Sequence, residues 1–152
     1  MESNHSINHR RYEMRKTYLA NLMVGNVMLH NLHWNVEGKA FKQIHEYLEF
    51  LYDDAFAKYD EVAERMKMDG KMPTASIKEY MADTDMKELE VRAYSIEEAL
   101  KEAKNYLEHM RELALKIRSE ADEKDEFAWV NLMEDHVAGY DKQIWFMNQS
   151  LV

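Results

Sequence analysis

Cysteine is absent from the 152-residue chain, which excludes disulfides, zinc ribbons and thiol catalysis and is compatible with a reducing compartment. A single proline and four glycines leave little material for turns, arguing against a loop-rich or all-β protein. No stretch is apolar enough to span a membrane, and the start of the chain lacks the apolar core of a signal peptide. A soluble, cytoplasmic protein with no membrane partner is expected. Basic residues are in deficit: 20 Lys and Arg stand against 29 Asp and Glu, a formal net charge of −9. That balance disfavours nucleic-acid binding over the whole surface and suits a protein that attracts cations.

What is present favours helix. Leu, Met, Glu, Lys and Ala are abundant, and the 12 methionines read as core fillers. Four long segments carry apolar residues at helical spacing. The first runs from about Arg10 to Val36, with Tyr18, Leu22, Val24, Met28 and Leu32 on or near one face, and Gly38 ends it. The second runs from Phe41 to about Asp69 and is closed by Gly70 and Pro73. Ser76 with Glu79 has the form of a capping box and opens a short helix, Ile77 to Met81. Ser95 with Glu98 repeats the form and opens the third long helix, to about Ser119. Glu120 to Glu126 read as the turn and first turn of the fourth, which continues through Trp129, Leu132, Val137, Ile144 and Trp145. The pattern predicts one all-α domain over residues 1–152, with 1–9 a flexible N-terminus. Its architecture is a four-helix bundle with a short extra helix in the long crossover between helices two and three, the connection that ferritin-like bundles use.

Bundles of this type often hold two metal ions inside one subunit, using Glu residues and two Glu-x-x-His motifs. Only one such motif occurs here, Glu2 to His5, so that site is not expected. A different set takes its place: His33, His45, Glu49, Asp60 and Glu64. His45 and Glu49 are four residues apart, as are Asp60 and Glu64, so each pair shares a helix face. His45 and Asp60 lie roughly 22 Å apart at the rise of one helix and cannot bind one ion together. A second copy of that helix, antiparallel across a two-fold axis near Tyr52 or Asp53, brings His45 of one chain to Asp60 of the other. The spacing predicts an intersubunit metal site, two per dimer. Imidazole with carboxylate suits iron, and also zinc or manganese. Taken singly, each residue has a plainer reading: the histidines as helix-end hydrogen-bonding groups, and Asp60 and Glu64 as solvated partners of Arg65 or Lys58.

The run His30-Asn-Leu-His-Trp-Asn-Val-Glu-Gly38, followed by Phe41, His45, Tyr52 and Asp60-Glu-Val-Ala-Glu-Arg65, closely resembles the Dps family, the ferritin-like DNA-binding proteins from starved cells. The resemblance extends through Gly70-Lys-Met-Pro73 and Ser76-Ile-Lys-Glu-Tyr80 to Asp141-Lys-Gln-Ile-Trp145. It implies a homo-oligomer of twelve subunits, a dodecamer built from two-fold dimers, with a ferroxidase site at each dimer interface. His33 and His45 would come from one subunit and Asp60 and Glu64 from its partner. Glu49 stands beside His45 where the family usually has Asp, Gln143 where it often has His, and Glu37 where a basic residue is common. The implied activity is oxidation of Fe(II), with hydrogen peroxide the usual oxidant, and storage of ferric mineral in a hollow shell that protects DNA from oxidative damage. Trp34 matches the tryptophan that flanks the site, with packing its expected role. Asp122, Asp125 and Glu126 fall where the family places acidic residues around its pores, or serve simply as a solvated helix start.

Family members often bind DNA through a basic tail. Here Arg10, Arg11, Arg15 and Lys16 fall within or beside the first helix, and no basic tail is expected after the last. Weak DNA binding that falls steeply with salt is expected at most. The competing reading is a nucleoid-associated protein that compacts DNA, with secondary iron chemistry. Glu134, Asp135 and His136 form a polar cluster on the fourth helix, expected to face solvent.

Overall fold

The structure, a computed structural model, describes residues 4–152, with side chains from residue 12 onward. Five helices and two very short strands follow in the order α1 (Asn4–Asn35), β1 (Val36–Glu37), α2 (Phe41–Met68), α3 (Ile77–Asp83), β2 (Tyr94–Ser95), α4 (Ile96–Glu123) and α5 (Phe127–Ser150). Short turns make α1 and α2 one antiparallel pair and α4 and α5 another. The strands fix how the pairs are joined. β1 follows α1, β2 precedes α4, and the two pair in parallel, Val36 with Tyr94 and Glu37 with Ser95. Helix α4 therefore begins at the end of the bundle where α1 finishes, after a crossover that carries α3 along its flank. The fold is an all-α bundle of two helix pairs joined by a long crossover, as the helical periodicity and the long connection between the second and third long helices implied.

Helices α2, α4 and α5 each bury a stripe at three- and four-residue spacing, whereas α1 is buried almost all round from Tyr18 to Asn26. In α2 this is Leu48, Leu51, Ala55, Lys58, Val62 and Met66. The apolar members of this stripe meet Leu19, Leu22, Leu29, Met110, Ile117 and Met133 in one contiguous core. Among the described residues no helix is long and apolar enough to cross a membrane. Ser95 forms a complete capping box, accepting from the Glu98 backbone N–H at 3.1 Å while the Glu98 carboxylate accepts from the Ser95 N–H at 3.2 Å. Gly70, with φ of 76°, lets the chain leave α2 while Lys71 N–H reaches back to the Met66 carbonyl at 2.9 Å.

Two boundaries differ from the reading of the sequence. Helix α1 starts at Asn4 rather than near Arg10, so 4–9 have helical backbone, while Glu2 of the Glu2–His5 motif lies outside the described residues. Helix α4 continues to Glu123, because Ile117 and the fully buried Ala121 extend its core stripe. The acidic run thus forms the last turn of α4 as well as the link to α5. The turn itself is made by Asp125, whose φ of 56° lets Glu126 N–H reach the Ala121 carbonyl at 2.9 Å.

Candidate metal centre

The end of α1 and the start of α2 bring His33 and His45 face to face, their rings stacked at 3.6 Å and 11°. Each ring is tied to the other residue's backbone: His33 Nδ1 lies 2.6 Å from the His45 carbonyl, and His45 Nδ1 lies 2.7 Å from the His33 carbonyl. A carbonyl can only accept, so Nδ1 carries the proton in both neutral rings and both Nε2 atoms keep a free lone pair. Local sequence explains the lock. The His33 carbonyl belongs to the last turn of α1, where carbonyls have no partner within the helix, and the 36–40 turn returns the chain just far enough for His45 to bind it. His33 is buried at 6% exposure and His45 is half-buried.

Around this pair lie Phe41, stacked on His45 at 5.0 Å, and Tyr52, edge-on to His33 at 5.1 Å. Trp34 is 68% exposed on the single chain and meets the His30 ring at 5.4 Å. Glu49 is exposed and accepts from the Tyr52 hydroxyl at 3.2 Å.

Asp60 and Glu64 stand exposed farther along α2. The cations that flank them are engaged elsewhere: Arg65 pairs with Asp69 at 3.1 Å, and Lys58 pairs with Asp54. Neither is the partner of Asp60 or Glu64. Among the described residues no three His, Asp or Glu side chains of one chain gather where they could hold a metal ion. The structure thus brings the two histidines together, with Glu49 one helical turn beyond His45, and leaves Asp60 and Glu64 apart from them.

The bundle interior holds a second polar cluster that sequence reasoning missed. Lys58 is buried, paired with Asp54 and lying 5.2 Å over the Tyr140 ring. The Tyr18 hydroxyl bridges His136 Nδ1 at 2.8 Å and the Tyr140 hydroxyl at 2.7 Å. His136 was expected to face solvent with Glu134 and Asp135; it is 0% exposed, whereas its two neighbours are exposed. The correction has a simple cause, since His136 lies three residues after Met133 and four before Tyr140 on the buried stripe of α5. Lys58 was legible in the same way, from its place between Ala55 and Val62 on the stripe of α2.

Burial first, and the Lys58 charge second, hold the His136 imidazole down to a pKa of about 3. The unfolded chain takes up that proton near 6.5, so stability present above 6.5 is lost as the pH falls through the window toward 3. The slope within the window is about 1.36 kcal/mol per pH unit for one proton. In His136→Gln the unfolding midpoint should depend less steeply on pH across that window; equal slopes in the two proteins would contradict the assignment.

Arg15, one of the basic residues placed within or beside the first helix, is turned inward. It grips Glu126 with both terminal nitrogens at 2.9 and 3.0 Å and lies 4.6 Å over the Trp129 ring. Arg10 and Arg11 have side chains outside the described residues.

The comparisons with known proteins agree with this architecture. The model of the ferritin-like domain matches residues 16–152. A DNA protection during starvation protein of Brevibacillus brevis is 32% identical over 133 residues, covering 88% of this chain and 89% of the relative. Among solved structures, a Dps protein from Bacillus brevis superposes with a TM-score of 0.90 at 30% identity, covering 100% of both chains. Antigen TpF1 from Treponema pallidum superposes at 0.91 with 28% identity, covering 99% of this chain and 96% of that one. A domain match over nearly the whole chain, with relatives of this name aligned end to end, places the protein in the ferritin-like superfamily, and it belongs to the Dps family within it.

Proposed function

We propose that the protein is a ferroxidase and iron store that oxidises Fe(II), preferably with hydrogen peroxide, at sites shared between two copies of the chain. His33, His45 and Glu49 of one subunit bind the ferrous substrate together with Asp60 and Glu64 of its partner. Two ferrous ions each give up one electron to one peroxide; its O–O bond breaks, and protons complete the two waters. The electron count leaves no hydroxyl radical, and ferric product accumulates inside a twelve-subunit shell of cytoplasmic location. Zinc or manganese fits the same donors and would compete with iron. The name of the relatives, protection of DNA during starvation, is consistent with removing the two reactants that generate radicals.

The observation that carries this reading is the reciprocal lock of His33 and His45. Carbonyl partners that fix the tautomer and orientation of imidazoles, leaving every Nε2 free, are what metal-binding histidines require. The lock also answers the plainer reading, because hydrogen bonding at the helix ends uses only Nδ1. Asp60 and Glu64 support it from the other side, as a carboxylate pair that neither neighbouring cation takes up. DNA compaction has less support, since Arg15 is spent on Glu126 and Trp129.

The test is anaerobic loading with Fe(II), then addition of peroxide while ferric absorbance is recorded, in the parent and in a His33→Ala, Asp60→Ala double variant. Fast oxidation at about two irons per peroxide, lost in the variant while the assembly persists, is the expected result. Equal rates would sink the ferroxidase reading.

A further inference from the structure

Within the site just proposed, on which this inference rests, we infer that His30 and Tyr52 are positioning residues that hold the Glu49 carboxylate for the second of the two metal ions. Four contacts form a closed bracket between α1 and α2. His30 Nδ1 donates to the Asn26 carbonyl at 2.8 Å, and the buried Asn26 side chain donates to the Tyr52 carbonyl at 2.8 Å. The His30 and Tyr52 rings stack at 3.7 Å and 21°. The Tyr52 hydroxyl then donates to Glu49 Oε1 at 3.2 Å.

Glu49 is exposed, and a free Glu side chain there samples many rotamers, whose entropy is lost when the carboxylate is fixed on a metal ion. Tyr52 cannot move its hydroxyl without leaving the His30 face, so the hydroxyl is a fixed anchor one turn from Glu49 on the same side of α2. One carboxylate oxygen is held by the anchor, and the other remains free as a ligand. The longer side chain of Glu49, where the family usually has Asp, gives the carboxylate its reach to Tyr52. His30 also has Nδ1 on a carbonyl and Nε2 free, but it does not gather with His33 and His45 into a three-residue set, so its action is through Tyr52.

The experiment is a titration of the intact assembly with Co(II) in the absence of oxygen and peroxide, so that the divalent ion binds without being oxidised, followed by calorimetry and visible absorption. Tyr52→Phe keeps the stack and removes only the hydroxyl. The second equivalent per subunit should weaken at least about tenfold, the lower end for loss of a group that orients a ligand, with the first equivalent unchanged. His30→Ala should do the same, and His30→Phe, which preserves a ring against Tyr52, should restore most of the affinity. Thermal stability and assembly mass are measured on each variant. Parental binding in Tyr52→Phe, or equal weakening of both equivalents together with a lowered melting point, would overturn the inference. An Asp60→Ala control separates the two levels. If it loses binding while Tyr52→Phe does not, the shared site stands and the bracket falls. If it binds as the parent does, the shared site falls and the bracket falls with it.

Discussion

Replacing both Asp60 and Glu64 with alanine is expected to abolish peroxide-driven iron oxidation, lowering its rate by more than about 100-fold, while the fold and the His33–His45 lock persist. The argument is geometric. Both carboxylates are exposed on α2, and neither neighbouring cation pairs with them, so their removal breaks no ion pair with Arg65 or Lys58. Loss of an outer partner of a metal ligand typically costs 10- to 100-fold, and loss of two ligands should exceed that. A structural effect would instead lower thermal stability, which exposed substitutions of this kind change by only about 0.5 kcal/mol. Stopped-flow ferric absorbance and differential scanning calorimetry on the same variant separate the two. A rate within a few-fold of the parent would remove the carboxylates from the site.

The largest effect on stability is expected from a single methyl group. Gly25 lies within α1 where the ring of Tyr106 presses against the helix, and a Cβ built there would lie 2.3 Å from Tyr106 Cε2 and 2.8 Å from its hydroxyl. Real Cβ atoms do not approach that closely. Tyr106 is buried on α4 at 4% exposure. Alanine at this position gains about 1 kcal/mol of helix propensity, and overpacking costs up to about 3 kcal/mol or more. Gly25→Ala should therefore destabilise the chain by roughly 2 kcal/mol net, with the clash outweighing the propensity. Combining it with Tyr106→Leu should restore part of the loss, so that the two changes are not additive. Beside the ring lies a 240 Å³ cleft lined by Met28, Met86, Tyr106 and His109. A loss below about 0.5 kcal/mol would mean that the Tyr106 ring swings aside, which would contradict close packing of Gly25 against it.

Much of the fold could be read directly from residues. Helical spacing placed the four long helices, Gly38 and Gly70 marked two helix ends, and the Ser95–Glu98 pair formed the capping box its spacing announced. Boundaries were less legible where local signals conflict. The run Glu120 to Glu126 has the chemistry of a helix start, yet Ala121 belongs to the core stripe of α4, and burial outweighed the preference of acids for the other end of a helix. The first residues are mostly polar, with Asn4, His5, Ser6, Asn8 and His9 interrupted only by Ile7, so apolar spacing gives no signal for the start of α1 before Arg10.

The site divides in the same way. The identities and spacings of His33, His45, Glu49, Asp60 and Glu64 were available as sequence, and so was the distance along α2 that keeps His45 and Asp60 of one chain apart. The lock was not, because its partners are backbone carbonyls, which every residue possesses. The buried cluster of Tyr18, Lys58, His136 and Tyr140 joins three helices across more than a hundred positions, and only the apolar stripes on which these polar residues fall hinted at it.

The shared character of the site is the central claim, and subunit mixing tests it most directly. One variant lacks the histidines (His33→Ala, His45→Ala), the other lacks the acids (Asp60→Ala, Glu64→Ala), and the two are unfolded together and reassembled in equal amounts. In a mixed two-fold dimer one site carries both defects and the other carries none. Random pairing makes half the dimers mixed, so about one quarter of the parental peroxide-driven oxidation rate should return from two inactive proteins. A mixture as inactive as either variant alone would contradict a site built from two chains.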